Sequence, residues 1–450
     1  MSIDKKQFIH HYAKRACDGE TSLFLGAGVS ASAGYPSWMH LLKPCAKELG
    51  IEIDDKVDLY LLAQYYANRF SYSALKKIIN ENVNLLKYES TLIDELLNLN
   101  FRTIWTTNYD TVLENNLFKR NVLTNTVNND RDLSNIIGNN RVNIYKLNGD
   151  IKNLDNIVIT QKDIEQYEPS HELLLTFFKR ELVTNTFLFL GYSFTDTIVL
   201  NCLNAINRCL KESTTCHYAI MLRGKIPDFD YFVNDLEQRY HVNVLVIDEY
   251  EELPNILKEL NYEIKRKNIF FSGVFDKLPS DEDVFANDLC GKIAEALLKD
   301  NFAIYTGYGR NFGNYLAGNS LQYILYHNMN VNKHLIMRPF LKNMSFEDKS
   351  THRKMLINDC HVSIFMFGQV PTENGYENSK GMIDEYEIAK EQRRIIIPIG
   401  STGYTSFEIW KDVKKNIILY PYLERYIDSL NSKDIEIIVN TIVQILSEVC

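Results

Sequence analysis

Residues Ser22–Ser37, SLFLGAGVSASAGYPS, decide the fold. Leu23 to Gly26 reads as a buried strand, and Gly26-Ala27-Gly28 breaks it. Small residues then fill Ser30 to Gly34. A strand running into small residues lets backbone N–H groups approach an anion, because no Cβ stands in the way. An ordinary strand-to-helix turn that needs glycine for its dihedrals fits these residues equally well. The choice depends on what the rest of the chain brings to the same place.

Upstream, residues 5–17 read as an amphipathic helix with Phe8, Ile9, Tyr12, Ala13 and Ala16 on one side. Downstream, residues 38–98 carry no strand pattern. They predict a helical cluster over Trp38–Leu49 (interrupted at Pro44), Asp58–Phe70, Ser73–Asn84 and Thr91–Leu97. Such an insertion after a phosphate loop can form one wall of a ligand cleft. Short β-rich runs return at Arg102–Thr106, Val142–Leu147, Thr186–Leu190, Tyr218–Leu222 and Asn243–Ile247, with helices between them. Residues 120–141, rich in Asn, Asp and Arg, read as a loop. This alternation predicts an α/β fold, a mostly parallel sheet with helices on both faces.

Near residue 266 the pattern restarts. NIFFSGVF is a strand, helix Asp281–Leu298 follows, and further strands fall at Phe302–Thr306, His334–Met337, Val362–Phe367 and Arg394–Ile399. The expectation is two α/β domains, 1–265 and 266–450, the first with a helical insertion. A chain of 450 residues with 45% hydrophobic and 24% charged content suits that size and a globular class. The net charge of −9 argues against a nucleic-acid surface over the whole molecule. No signal-peptide core or membrane-length apolar run occurs, so no membrane partner and a cytoplasmic location are expected. The 8 cysteines include no CxxC pair, so neither zinc nor any other metal is expected.

In the first domain four predicted strands end in polar or glycine-containing segments. These are Gly26-Ala27-Gly28-Val29-Ser30, Thr106-Thr107-Asn108-Tyr109-Asp110, Asn148-Gly149-Asp150 and Gly191-Tyr192-Ser193-Phe194-Thr195-Asp196. In a parallel sheet such endings gather at one edge, where ligands bind. Asn108 can donate and accept hydrogen bonds, Asp110 can accept them, and Ser193 can contact a phosphate or cap a helix. Helix capping is the plainer role for Asp110 and Thr195.

GAGVSASAGYPSW, TTNYD, a strand ending in NGD, and GYSFTD resemble the sirtuin fold family, in particular its bacterial defence branch. The resemblance covers roughly residues 10–260 and implies a Rossmann-like domain that binds NAD+ as substrate and cleaves its bond to nicotinamide. It implies a cofactor-binding set of Gly26, Ala27, Gly28, Ser30, Thr107, Asn108, Asp110, Gly191 and Ser193. It implies a catalytic set of Asn108, Asp110 and the residue at 148. Deacylating sirtuins usually carry a four-cysteine zinc module; its absence favours the NAD-hydrolysing branch over a protein deacylase. The family strand normally ends in His-Gly-Asp, and Asn148 stands at the histidine. An amide cannot take a proton near neutral pH. NAD binding can survive that change, but turnover is expected to be impaired, either as a silenced variant of an active enzyme or as a weak natural form. A non-catalytic, self-assembling nucleotide sensor is the alternative that Asn148 keeps open.

The second domain repeats the strand-end logic with Ser272-Gly273, then Gly307, Gly309, Arg310 and Asn311, then Arg338 and Phe340, then Gly368, and finally Lys380, Gly381 and Glu385. Glycines with three cations suit a compact anion carrying two phosphates, and Glu385 suits ribose hydroxyls. This half resembles the SLOG family, although only Gly381 and Glu385 match its nucleotide-binding segment, which favours sensing over chemistry. A sirtuin-like domain followed by SLOG resembles the effector of the Thoeris antiphage system. That resemblance implies activation by a cyclic ADP-ribose isomer from a TIR-domain partner, and homotetramers that can stack into filaments.

Overall fold

The computed structural model describes residues 2–450 apart from 55–56, 84–88, 139–140, 225–227, 342 and 374. Asn84, the expected end of one helix, and residues 139–140 of the expected loop lie outside the described residues. The chain forms two compact units, Met1–Glu263 and Ile264–Cys450. Each is an α/β unit built on a parallel sheet, as the strand–helix alternation predicts.

The first unit has strands β1 (Thr21–Leu25), β2 (Thr103–Thr106), β3 (Thr124–Val127), β4 (Val142–Lys146), β5 (Thr186–Leu190), β6 (His217–Leu222) and β7 (Val242–Ile247). They lie in the order β3-β4-β2-β1-β5-β6-β7, and every pairing is parallel. Central β1 and β5 are buried on both faces, as a sheet covered on both sides requires, whereas the edge strand β3 alternates. After β1 the chain builds one side of the sheet as β2, β3 and β4, then crosses to the other side as β5. The crevice above the ends of β1 and β5 is therefore the topological switch point, where such sheets take ligands.

Two local expectations change. The stretch 120–141 contains β3 and a short 3₁₀ segment, Asp130–Asn135. Its polar residues conceal the strand because their partners are also polar: the Asn125 amide donates to Asn143 Oδ1 at 2.8 Å. Helix Trp38–Leu49 runs unbroken through Pro44. Pro44 and His40 both lie on its exposed side, so water can satisfy the carbonyl that the proline ring leaves without a donor.

The second unit has strands β8 (Asn268–Val274), β9 (Ala303–Thr306), β10 (Leu335–Met337), β11 (Val362–Phe367), the antiparallel pair β12 (Gln369–Thr372) and β13 (Gly375–Asn378), and β14 (Ile395–Pro398). Its main sheet, β10-β9-β8-β11-β14, is wholly parallel. The β12–β13 hairpin, not anticipated from the pattern, stands apart as a two-stranded sheet after β11.

A buried histidine ties β5 to β6. His217 Nδ1 accepts the N–H of Phe187 at 3.2 Å, and burial, with a smaller contribution from His241, pushes its pKa down to about 3. Below the ordinary value of 6.5 the unfolded chain takes up a proton that the folded chain refuses. Stability from this group is thus whole above about pH 6.5 and falls as pH drops toward about 3. His217→Asn keeps an acceptor for Phe187. In thermal unfolding of the intact chain at pH 7 and pH 5, this variant is expected to lose about 2 kcal/mol less than the parent between the two conditions.

Candidate active site

The strand ends meet through backbone contact. Gly26 N–H donates to Leu190 O at 2.9 Å, and Gly28 N–H to Gly191 O at 3.0 Å. A Cβ on Gly26 would overlap the Gly191 carbonyl, and one on Gly28 would lie 2.8 Å from the Gly191 Cα. Gly191 itself sits at φ +61°, and a Cβ there would lie 2.6 Å from Val29 N. The glycine run is therefore an interlock between the ends of β1 and β5. The N–H groups of Gly26 and Gly28 are spent in it, and neither residue lines the cleft. Ala27 and Ser30 from the same turn do.

Above the interlock opens a cleft of about 670 Å³, within the range of small-molecule sites. It is lined by Ala27, Ser30, Thr107, Asn108, Asp110, Asn148, Gly191 and Ser193, so four strand-end segments converge. Asn108 gives one amide hydrogen to Gly26 O at 3.0 Å and the other to Ser30 Oγ at 2.8 Å. With both donors used, its carbonyl is the group left to meet a ligand. Asp110 is buried; its Oδ1 caps Val112 N–H at 3.0 Å and its Oδ2 accepts Ser30 O–H at 2.6 Å. Capping and site-building are thus both real for Asp110. At the other end of the set, Asp196 rather than Thr195 caps the following helix, and Ser193 and Thr195 pair hydroxyls at 2.9 Å on the exposed rim.

A charge cluster holds two of these segments from below. Lys146, at the end of β4, is buried between Glu114 and Asp150, each at 2.8 Å. It also donates to the carbonyl of Asp110. Burial works against its charge, but the two carboxylates outweigh burial and hold its pKa up. Burial pushes Glu114 upward. Asp150 of the Asn-Gly-Asp segment therefore belongs to the scaffold, whereas Asn148, two residues before it, faces the cleft with its Oδ1 buried and without a protein partner.

The helical insertion supplies the wall that its position in the chain anticipated. Tyr35, Trp38, Asp58 and Tyr60 line the cleft with Tyr192 and Asp196. Trp38 and Tyr60 meet edge to face at 4.2 Å. None was singled out from the sequence, because aromatic residues on amphipathic helices look like ordinary core. Asp196 was quoted only as the end of GYSFTD. Burial raises its pKa, opposed by the N–H groups of Ile198 and Val199 and by the Asn148 and Tyr60 side chains. His171, stacked on Tyr167 at 4.2 Å, does not line the cleft. Among the described residues no three His, Cys, Asp or Glu gather as a metal site, and no helix is long and apolar enough to cross a membrane.

In the second unit a smaller cavity of about 150 Å³ lies over β8 and β9. Of the residues singled out from the sequence, Ser272, Gly273, Gly307, Gly309, Phe340, Gly381 and Glu385 line it. Arg310, Asn311, Arg338, Gly368 and Lys380 do not. Arg310 pairs with Asp276 at 3.1 Å and Asn311 donates to the Asp276 carbonyl, while Arg338 pairs with Asp359 at 2.8 Å. Gly368 packs against Thr405, and Lys380 opens its helix on the exposed side. Among the described residues, the cation that lines the cavity is Arg353, which the pattern does not reveal because it lies mid-helix rather than at a strand end. Arg353 reaches Glu385 at 3.4 Å and Asp384 at 3.5 Å and lies 5.1 Å over the Phe340 ring. Ser272 donates to Glu385 at 2.5 Å, and burial raises the Glu385 pKa.

Comparison with known proteins matches two families along the chain. Residues 102–245 match the SIR2-like domain family, and residues 252–449 match the Sir2- and TIR-associating SLOG family. The chain is 32% identical to the NAD(+) hydrolase ThsA of Enterococcus faecium over 96% of this chain and 94% of that protein. It is 28% identical to the NAD(+) hydrolase ThsA of Bacillus cereus strain MSX-D12 over 97% of each. Defense-associated sirtuin 2 of Bacillus subtilis is 26% identical over 44% of this chain and 20% of its own length.

The interlock makes a prediction. Gly191→Ala combines left-handed backbone with a clash against Val29 and is expected to cost about 2 kcal/mol or more in urea unfolding. Gly50→Ala, also left-handed (φ +69°) but in open space, is expected to cost only about 1 kcal/mol. Equal losses would mean that the strand ends are not held by close contact.

Proposed function

We infer the activity from a premise already in hand: the chain belongs to the family of the NAD(+) hydrolases ThsA, a SIR2-like unit followed by a SLOG unit. The proposed reaction is hydrolysis of NAD+ to nicotinamide and ADP-ribose, with release of one proton, in the cleft of the first unit. The observation that carries it is the convergence of four strand-end segments on one cleft at the switch point.

In this reading the diphosphate lies along Ala27, Ser30 and the Ser193 rim, and the nicotinamide ribose lies against Asn108 and Asn148. Nicotinamide departure leaves positive charge on the ribose, and the Asp110 carboxylate, held by Ser30 and Val112 in the cleft lining, is the group proposed to stabilise it. Water then captures the ribosyl centre and loses its proton to solvent or to a nearby carboxylate. Two amide carbonyls, Asn108 and Asn148, can orient hydroxyls or water but cannot take that proton. Turnover by this chain is therefore slow, and Asn148→His is expected to raise nicotinamide release roughly a hundredfold. Release that stays at the parent rate, with NAD+ still bound, would remove position 148 from the chemistry.

We propose that the second unit receives the signal, a cyclic ADP-ribose isomer made by a TIR-domain partner in Thoeris-type antiphage defence, within a homo-oligomer. Arg353 supports this: a guanidinium held by Glu385 and Asp384 can exchange a carboxylate for a phosphate. The cavity is smaller than most nucleotide sites, so the ligand must displace Phe340 or Arg353 as it enters. Arg353→Ala is expected to abolish signal-dependent nicotinamide release while leaving basal release unchanged. Arg338→Ala, whose guanidinium already serves Asp359, should retain the response. The reverse result would move the binding site to Arg338.

A further inference from the structure

Lys146 is the last residue of β4 and stands opposite Thr106, the last of β2, where both strands give way to cleft segments. It is 1% exposed and does not line the cleft, so it cannot touch a ligand there. Burying a lysine between two carboxylates is a costly way to fill space, and hydrocarbon of similar volume often does so as well or better. What hydrocarbon cannot supply is the three hydrogens of an ammonium, which can bind three segments at once. Here Nζ lies 2.8 Å from Glu114 Oε1 and 2.8 Å from Asp150 Oδ2, and it donates to the backbone carbonyl of Asp110. The Tyr109 carbonyl is a more distant neighbour at 3.5 Å.

The bond to Asp110 continues into the cleft. Asp110 is gripped from beneath at its carbonyl and from above at its carboxylate, which accepts Ser30 O–H at 2.6 Å and Val112 N–H at 3.0 Å. Ser30 Oγ in turn accepts the Asn108 amide at 2.8 Å. Tyr109, between the two, is anchored independently. Its O–H donates to Val158 O at 2.8 Å, and its carbonyl accepts Ile151 N–H at 2.9 Å. Loss of the ammonium would therefore free Asp110 without releasing the whole segment.

We propose that Lys146 is a positioning residue for the reaction: Glu114 and Asp150 hold its ammonium, and the ammonium holds the Asp110 backbone, so that the Asp110 carboxylate and the Asn108 carbonyl keep their places at the ribosyl centre. The proposal rests on the NAD+ hydrolysis reading of the cleft.

The test uses the full chain and compares melting temperature, NAD+ affinity by calorimetry, and release of labelled nicotinamide at saturating NAD+. The triple variant Lys146→Met/Glu114→Gln/Asp150→Asn removes the ammonium together with the two charges that would otherwise be left buried and unpaired. It is expected to melt within about 5 °C of the parent and to bind NAD+ within about threefold of it. Release at saturation is expected to fall about tenfold or more, because a small misplacement of a reacting group is costly. A merely structural cluster would shift melting and leave kcat of the folded chain unchanged. If the triple variant does not fold, Lys146→Met/Glu114→Gln leaves Asp150 with the N–H of Lys152 at 2.7 Å, and the same fall in release is expected. Parental release from either folded variant overturns the proposal, as does a fall that comes wholly from weaker NAD+ binding. A parent chain that binds no NAD+ or releases no nicotinamide overturns the hydrolysis reading itself, a result distinct from either.

Discussion

The first unit depends on a backbone contact without side chains. Gly26, Gly28 and Gly191 bring the ends of β1 and β5 close enough for two N–H···O bonds to pass between the loops. β1 and β5 are neighbours in the sheet but are separated in the chain by the helical insertion and three other strands. Closing that distance at the switch point orients the start of the helix after β1, and with it Ser30. Ser30 then links Asn108 to Asp110. The polar cleft is thus assembled outward from a backbone contact, of which Gly191 also lines the cleft.

Much of this was legible from the chain. The parallel sheets and the strand-end segments follow from apolar runs that stop at glycine or polar residues, as at Leu25–Gly26 and Leu190–Gly191. What these positions do was less legible. Gly26 and Gly28 look like phosphate ligands, because close approach to a phosphate and close approach to another loop demand the same missing Cβ. β3 escaped notice because its pattern is Thr-Asn-Thr-Val and its neighbour offers amides rather than hydrocarbon. Trp38 and Tyr60 escaped because a helix wall facing a cleft and one facing a core use the same residues.

The second unit illustrates a different gap between pattern and structure. Cations at strand ends are natural candidates for an anion, yet Arg310 and Arg338 are consumed by Asp276 and Asp359. Arg353 reaches the cavity from the middle of a helix, pinned by two carboxylates and an aromatic ring. A cation's availability is decided by its acidic neighbours, which lie far away in sequence. Strand-end position narrows the search to one edge of the sheet without choosing among the charges there.

The charge cluster beneath the Asn-Gly-Asp segment bears on what can stand at position 148. Lys146 and Asp150 are joined at 2.8 Å across one turn of chain, and the backbone carbonyl of Asn148 accepts the N–H of Val158 at 3.0 Å. The backbone at 148 is therefore held from both flanks and from beneath, by bonds that involve none of the 148 side chain. Residue 148 behaves as an interchangeable insert in a rigid mount. A side chain that fits the same space can replace it and leave those bonds in place.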